Sequence, residues 1–276
     1  MQKRVLAVSD ISCLGKCALT TALPVLSACG HECVLLPTAV LSTHTAADFG
    51  DYTCEDLTHR LLPILQHWQR LEITFDAVYI GYLTTPAQAA LLTEQLPKLC
   101  REDTLWLVDP ILGDNGQLYR GLSAENIAAL RRLCQRADII TPNLTEAALL
   151  LEEEYQPHPT PEQVEGMLVR LRKLGAKNPV ITGASREEGM TGAAAFDGIS
   201  FHWAQTPAYP RAFYGTGDVF SSALLTGLMN GKNLAASVDL AVGFTHEAIR
   251  HTLSEGRPLR YGPCFEKALP WLMGNV

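Results

Sequence analysis

A recurring pattern constrains this chain more than any other feature: short apolar runs, each closing on polar residues. Val5-Leu6-Ala7-Val8 leads into Ser9-Asp10, and Ala77-Val78-Tyr79-Ile80-Gly81 into Tyr82. Leu105-Trp106-Leu107-Val108 meets Asp109-Pro110; Asp138-Ile139-Ile140-Thr141 meets Pro142-Asn143; Pro179-Val180-Ile181 ends on Thr182. Runs this short and this apolar read as strands buried on both faces. Between them lie helical stretches. Residues 17–29 carry Leu19, Leu23 and Leu26 at helical spacing before Gly30. Helices are also expected over 55–70, where Pro63 should kink or split the element, and over 86–100, 124–136, from about 145, and over 161–174. Strands alternating with helices give a mostly parallel sheet with helices on both faces, a three-layer α/β fold. One domain spanning 1–276 is expected. The carboxyl ends of parallel strands share one edge, so the polar tips converge in space although they are scattered in sequence.

Other segments are less regular. Residues 33–36 read as a strand that leads into a polar-tipped connection over 37–45. Residues 111–122 hold Gly113, Gly116 and Gly121 and read as a mobile flap. After Thr182 the pattern changes. Residues 191–196 and 200–205 flank Asp197-Gly198, a tight-hairpin signal, and imply a late antiparallel addition at the sheet edge. Helices follow over 219–230, 234–253 and 264–273.

Composition narrows the function classes. The 276 residues are 47% hydrophobic, enough for a substantial core, and the net charge is −7 with no basic run. That argues against a nucleic-acid or anionic-membrane surface. No signal peptide is evident, and no uninterrupted apolar run reaches the length of a membrane span. The eight cysteines are scattered without a CxxC pair, as in a reduced, cytoplasmic protein.

The chemistry is concentrated in Tyr214-Gly215-Thr216-Gly217-Asp218. A glycine-rich loop opening a helix offers unpaired amides to an anion. A carboxylate there repels a phosphate, unless it takes a proton from an incoming hydroxyl. Gly215, Thr216 and Gly217 would then hold the transferring phosphoryl group and Asp218 would act as base, as a phosphoryl transferase requires. Asp109, Asp114 and Glu146 form a candidate group for magnesium, which prefers oxygen ligands and keeps several waters.

Here the residues carry a resemblance. Gly215-Thr216-Gly217-Asp218 is similar to the anion-hole and base motif of the ribokinase-like superfamily. Asp109-Pro110-Ile111-Leu112-Gly113-Asp114 resembles the DPVLGD segment of pyridoxal kinases within it. Ile139 to Glu146 resembles their ITPNxxE motif, Leu41-Ser42-Thr43-His44-Thr45 their FSNHT segment, and Gly81-Tyr82 their GY after a strand. The resemblance implies a ribokinase-like fold, ATP as co-substrate with Mg2+, and phosphorylation of the 5′-hydroxymethyl group of a B6 vitamer. It implies substrate contacts from Ser9, His44, Thr45 and Tyr82, beside Asp218. Asp109, Asn143, Glu146, Thr182, Gly183 and Thr216 would serve the nucleotide, and Asp109, Asp114, Thr141 and Glu146 the metal. A monovalent cation (K+ or Na+) would sit near Asp114, Thr141 and Thr182, and the protein would form a homodimer.

The chain departs from the pattern in places. Ser9 to Lys16 lacks the histidine and the GYVGN run of the better-known pyridoxal kinases, Thr43 and Ala46-Ala47 replace an aromatic-rich segment, and Gly183 stands where a serine is usual. Hydroxymethylpyrimidine kinases of the same superfamily are the nearest alternative, although they commonly carry cysteine at the position of Asp218. A non-catalytic vitamer-binding protein of this fold is the other.

Overall fold

A computed structural model describes residues 2–45 and 49–276. The chain runs β1 (Arg4–Ser12), α1 (Ala18–Ala28), β2 (Glu32–Leu41), β3 (Cys54–Asp56), α2 (Thr58–Arg70), β4 (Phe75–Ile80) and α3 (Pro86–Gln95). It continues through β5 (Cys100–Val108), β6 (Gly113–Asp114), β7 (Gln117–Leu118), α4 (Ala124–Cys134), β8 (Ile139–Ile140), α5 (Leu144–Leu151) and α6 (Pro161–Leu174). Then come β9 (Asn178–Ala184), β10 (Met190–Phe196), β11 (Phe201–Pro207), α7 (Thr216–Met229), α8 (Leu234–Ser254) and α9 (Phe265–Met273).

One nine-stranded sheet has the order β11-β10-β9-β8-β5-β4-β1-β2-β3. Its centre, from β9 across to β2, is parallel. The β10–β11 pair at one edge is antiparallel, as the hairpin signal implies. The turn differs in detail: Asp197 accepts from the amides of both Ile199 and Ser200, at 2.8 Å each, which makes a longer loop than a two-residue hairpin.

The period-2 alternation of the strands builds the layers. Leu6, Val8, Val78, Ile80, Trp106, Val108 and Ile140 face α2 through α6. Val5, Ala7, Ala77, Tyr79, Leu107 and Ile139 face α1, α7, α8 and α9. Both faces are fully covered, which is why these strands read as unbroken apolar runs.

Three sequence expectations are corrected. First, β1 does not end at Ser9-Asp10 but runs to Ser12, with a register shift between Ser9 and Ile11; likewise β2 runs to Leu41, so most of 37–45 is strand. Second, residues 54–56 form the antiparallel edge strand β3 rather than the start of a helix. Third, α2 continues unbroken through Pro63. The lost amide removes one helical bond, but buried Leu61 and Leu65 on either side keep the helix on the sheet.

Candidate active site

The sheet register assembles the site. Val8, Ile80, Val108 and Ile140 lie at one level of neighbouring strands. The next residues along, Ser9, Gly81, Asp109 and Thr141, therefore stand side by side at the carboxyl edge. Backbone bonds continue the ladder: the Gly81 amide donates to Val8 at 2.8 Å, Asp109 to Ile80 at 2.8 Å and Thr141 to Val108 at 3.1 Å. The alternation points Asp109 and Thr141 toward α7. There Ser221 Oγ donates to Asp109 Oδ2 at 3.1 Å and lies 2.9 Å from Thr141 Oγ1. The Thr141 hydroxyl also faces the Asp109 carboxyl, so either hydroxyl can be the donor in the Thr141–Ser221 pair.

The start of α7 is the glycine-rich loop. Gly215 caps the helix at φ +77°, and a Cβ there would lie 2.1 Å from the Lys16 carbonyl oxygen. Glycine is required at this position by the protein itself. Gly217 is different: a Cβ would meet only Asp109 Oδ2, at an ordinary 3.8 Å. Its bare backbone faces the cleft, where it leaves room for a ligand to approach the helix amides. Asp218, in the first turn, is buried, and its Oδ1 has no hydrogen-bond partner among the described residues. The Ala18 amide and the Tyr79 hydroxyl face the carboxylate without closing a bond to Oδ1. Ala18, the first residue of α1, sits at φ +49°, a strained value for a residue with a Cβ.

Several buried acids gather here. Burial pushes the Asp218 carboxyl up to about 7, with the Asp10 charge adding to the rise and the Ala18 amide opposing it. Burial and the Asp218 charge push Asp109 up to about 8, and Asp10 rises to about 6 through burial. Glu146 is held well above the usual carboxylate range by burial and by Asp109. Its position is fixed by a capping box at the start of α5. Glu146 Oε2 accepts from the Asn143 amide at 2.8 Å, and Asn143 Oδ1 accepts from the Glu146 amide at 2.9 Å. Glu146 Oε1 also accepts from the Leu112 amide at 3.1 Å.

These groups line a cleft of about 470 Å³ that also takes in Thr182, Gly183 and Tyr119. An isolated bridge joins Asn143 to Thr182, which brings the ends of β8 and β9 together. Asp109 and Glu146 repel one another across this cleft, so a cation between them is electrostatically favoured. Two acids suit a hydrated magnesium ion that completes its shell with water and phosphate oxygens. The three-acid group expected from the sequence is not assembled. Among the described residues no three His, Cys, Asp or Glu side chains are close enough to hold a metal. Asp114 is exposed on β6, where its carboxylate is engaged by the Asn115 amide at 2.9 Å and side chain at 3.1 Å.

The segment read as a mobile flap is a small β6–β7 hairpin tied to α5. The Gly116 amide donates to Thr145 Oγ1 at 3.0 Å, and Asn143 Nδ2 donates to the Gly113 carbonyl at 2.9 Å.

The residues expected to hold the alcohol, Ser9, His44, Thr45 and Tyr82, are not among the described residues that line this cleft. Ser9 Oγ accepts from the Tyr82 amide at 3.0 Å and also faces Asp10. The half-buried Tyr82 phenol lies within the field of Tyr52, Asp10 and Cys54. His44 is buried and packs on Tyr214, with ring centroids 5.5 Å apart. Its Nε2 carries a proton, because it lies 2.6 Å from the Arg260 carbonyl, which can only accept. Thr45 lies just beyond β2; Ala46 and Ala47 are outside the described residues.

Sequence reasoning left out Tyr119 and Ser221, and took Asp10 as a polar strand tip without giving it a role. Ser221 was findable, since it follows Asp218 by three residues and so shares its helix face. Asp10 follows Ser9 in a strand where a bulge re-aims side chains, and no period signals that.

Comparison with known proteins accords with this geometry. The sequence model of the phosphomethylpyrimidine kinase family matches residues 28–263. A hydroxymethylpyrimidine/phosphomethylpyrimidine kinase of Aquifex aeolicus is 29% identical over 67% of this chain and 71% of its own length. A Bacteroides thetaiotaomicron protein assigned as a phosphomethylpyrimidine kinase and crystallised with pyridoxal superposes with a TM-score of 0.95 at 35% identity, covering 100% of this chain and 97% of that one. The pyridoxal kinase of Lactobacillus plantarum gives 0.92 at 33% identity, covering 99% and 98%. Among the described residues no helix is long and apolar enough to cross a membrane. The chain belongs to the phosphomethylpyrimidine kinase family, shares its fold with pyridoxal kinases, and is a phosphotransferase with an alcohol group as acceptor.

Proposed function

We propose that this protein transfers the γ-phosphoryl group of ATP to the 5′-hydroxymethyl group of a B6 vitamer. The observation that carries the reading is Asp218, a buried carboxylate with an oxygen free among the described residues, beside the open backbone of Gly217. The nucleotide occupies the cleft with its terminal phosphate at the Gly215 to Gly217 amides. The alcohol enters from the side of Ser9, Thr45 and Tyr82. Asp218 Oδ1 accepts the hydroxyl proton as the oxygen forms its bond to the γ-phosphorus and the bond to the departing ADP breaks. Asp218 is suited to this, because a base works best with a pKa near the operating pH, and its own is about 7. Asp109 and Glu146 would hold magnesium, which would neutralise phosphate charge. Ser221 holds the Asp109 carboxylate in place, and the hairpin over α5 limits water at the transfer point.

The vitamer assignment is supported by the 35% identical relative crystallised with pyridoxal, which aligns over the whole chain, and by aspartate rather than cysteine at position 218. A second reading, hydroxymethylpyrimidine as acceptor, is favoured by the matching family model and the Aquifex aeolicus relative. Steady-state rates with pyridoxal, pyridoxine, pyridoxamine and hydroxymethylpyrimidine separate the two. The first reading requires a higher kcat/KM for at least one B6 vitamer than for the pyrimidine.

A further inference from the structure

The cleft has an unbalanced charge. Asp109, Asp114, Glu146 and Asp218 all line it, and among its described lining residues Arg211 is the sole lysine or arginine. A nucleoside triphosphate would bring further negative charge into this space. The helix amides carry only partial positive charge, so a cationic side chain beside them would add to what they and a magnesium ion supply.

Arg211 lies in the segment between β11 and α7, four positions before the helix cap Gly215. Its backbone is held on both sides. The Arg211 amide donates to the Tyr209 carbonyl at 2.7 Å. The Tyr209 ring stacks on His246, with centroids 5.7 Å apart, and meets Phe213 edge-on at 6.3 Å. Tyr214, next along, packs on His44. The side chain itself is exposed and makes no ion pair among the described residues, although acids surround the cleft. Half of the protein's other arginines pair with carboxylates among the described residues, as Arg170 does with Glu153 and Arg250 with Glu247. A braced backbone that presents an uncommitted guanidinium into an acidic cleft is arranged for an anionic ligand. The planar fork of arginine matches a phosphate with two parallel hydrogen bonds.

We infer that Arg211 is a phosphate-binding residue of this kinase, gripping the polyphosphate tail of the nucleoside triphosphate opposite the amides of the Gly215 to Gly217 loop. The inference rests on the nucleotide lying in this cleft, not on which alcohol is the acceptor.

The experiment is calorimetric titration of the full chain with Mg-ATP and with AMP, without any alcohol, for the wild type, Arg211→Ala and Arg211→Lys. Loss of a charge-assisted bond should weaken ATP binding about 10- to 100-fold in Arg211→Ala. AMP affinity should stay within about twofold, because AMP lacks the β- and γ-phosphates. Arg211→Lys should fall between the wild type and Arg211→Ala, since lysine keeps the charge but not the fork. Unchanged ATP affinity in Arg211→Ala overturns the inference. So does an equal loss for ATP and AMP, which would make Arg211 a support for the loop. A wild type that binds ATP but phosphorylates no B6 vitamer defeats the proposed function and leaves this test intact.

Discussion

Replacing Asp218 with asparagine should make the protein more stable while removing its turnover. The reasoning starts from the buried carboxyl, whose pKa rises from the ordinary 3.8 to about 7. The sign follows from linkage. Between these two values the folded state binds more protons than the unfolded state, so raising the pH through this window destabilises the fold. At 1.36 kcal/mol for each tenfold change, the rise corresponds to a cost on the order of 4 kcal/mol, complete above about pH 7 and absent near pH 4. Asparagine has nearly the same shape and carries no charge, so it escapes that cost. It also relieves Asp109, which the Asp218 charge pushes up. Urea unfolding of both proteins, free of nucleotide, from pH 4 to pH 8.5 measures the effect. The stability gap in favour of Asp218→Asn should widen steadily to about pH 7 and then level off. Turnover of the variant should fall about 10²–10⁴-fold, the usual cost of a positioned base. A gap independent of pH, or a variant less stable than the wild type at pH 8, would refute the electrostatic reasoning.

Two further changes probe neighbouring acids. Glu146→Gln should raise the magnesium concentration needed for half-maximal activity, and a magnesium titration of the variant against the wild type reads the effect. Asp10→Asn removes a negative charge that raises the Asp218 pKa. The acidic limb of the kcat–pH profile should therefore move to lower pH, and an unmoved limb would show that Asp10 does not act on the base.

Much of the architecture was legible in the sequence, because buried parallel strands announce themselves as short apolar runs. The same runs located the site, since Ser9, Gly81, Asp109 and Thr141 share one level of the sheet by register alone. Local chemistry was legible where it is local: Asn143 and Glu146 cap one helix at a spacing that can be read by eye. What escaped depends on three-dimensional context. Strand β3 has only Cys54, Glu55 and Asp56, and its pairing with β2, not its composition, makes it a strand. The expected metal trio does not close up, because Asp114, although it lines the cleft, is exposed on β6, where Asn115 engages it. The flap is pinned by Thr145 and Asn143, contacts that no glycine count anticipates. The role of Asp10 was hidden by a bulge, and the role inferred for Arg211 arises from the acids gathered around it rather than from any motif.

The central claim is that Asp218 and the glycine-rich loop phosphorylate the 5′-hydroxymethyl group of a B6 vitamer. It is tested most directly by incubating the wild-type protein with Mg-ATP and equal concentrations of pyridoxal, pyridoxine, pyridoxamine and hydroxymethylpyrimidine, with phosphorus NMR to identify the products. The account predicts a 5′-phosphomonoester of at least one B6 vitamer, formed in step with ADP and with a higher kcat/KM than any pyrimidine product. Phosphorylation of hydroxymethylpyrimidine in clear preference to all three vitamers would contradict it.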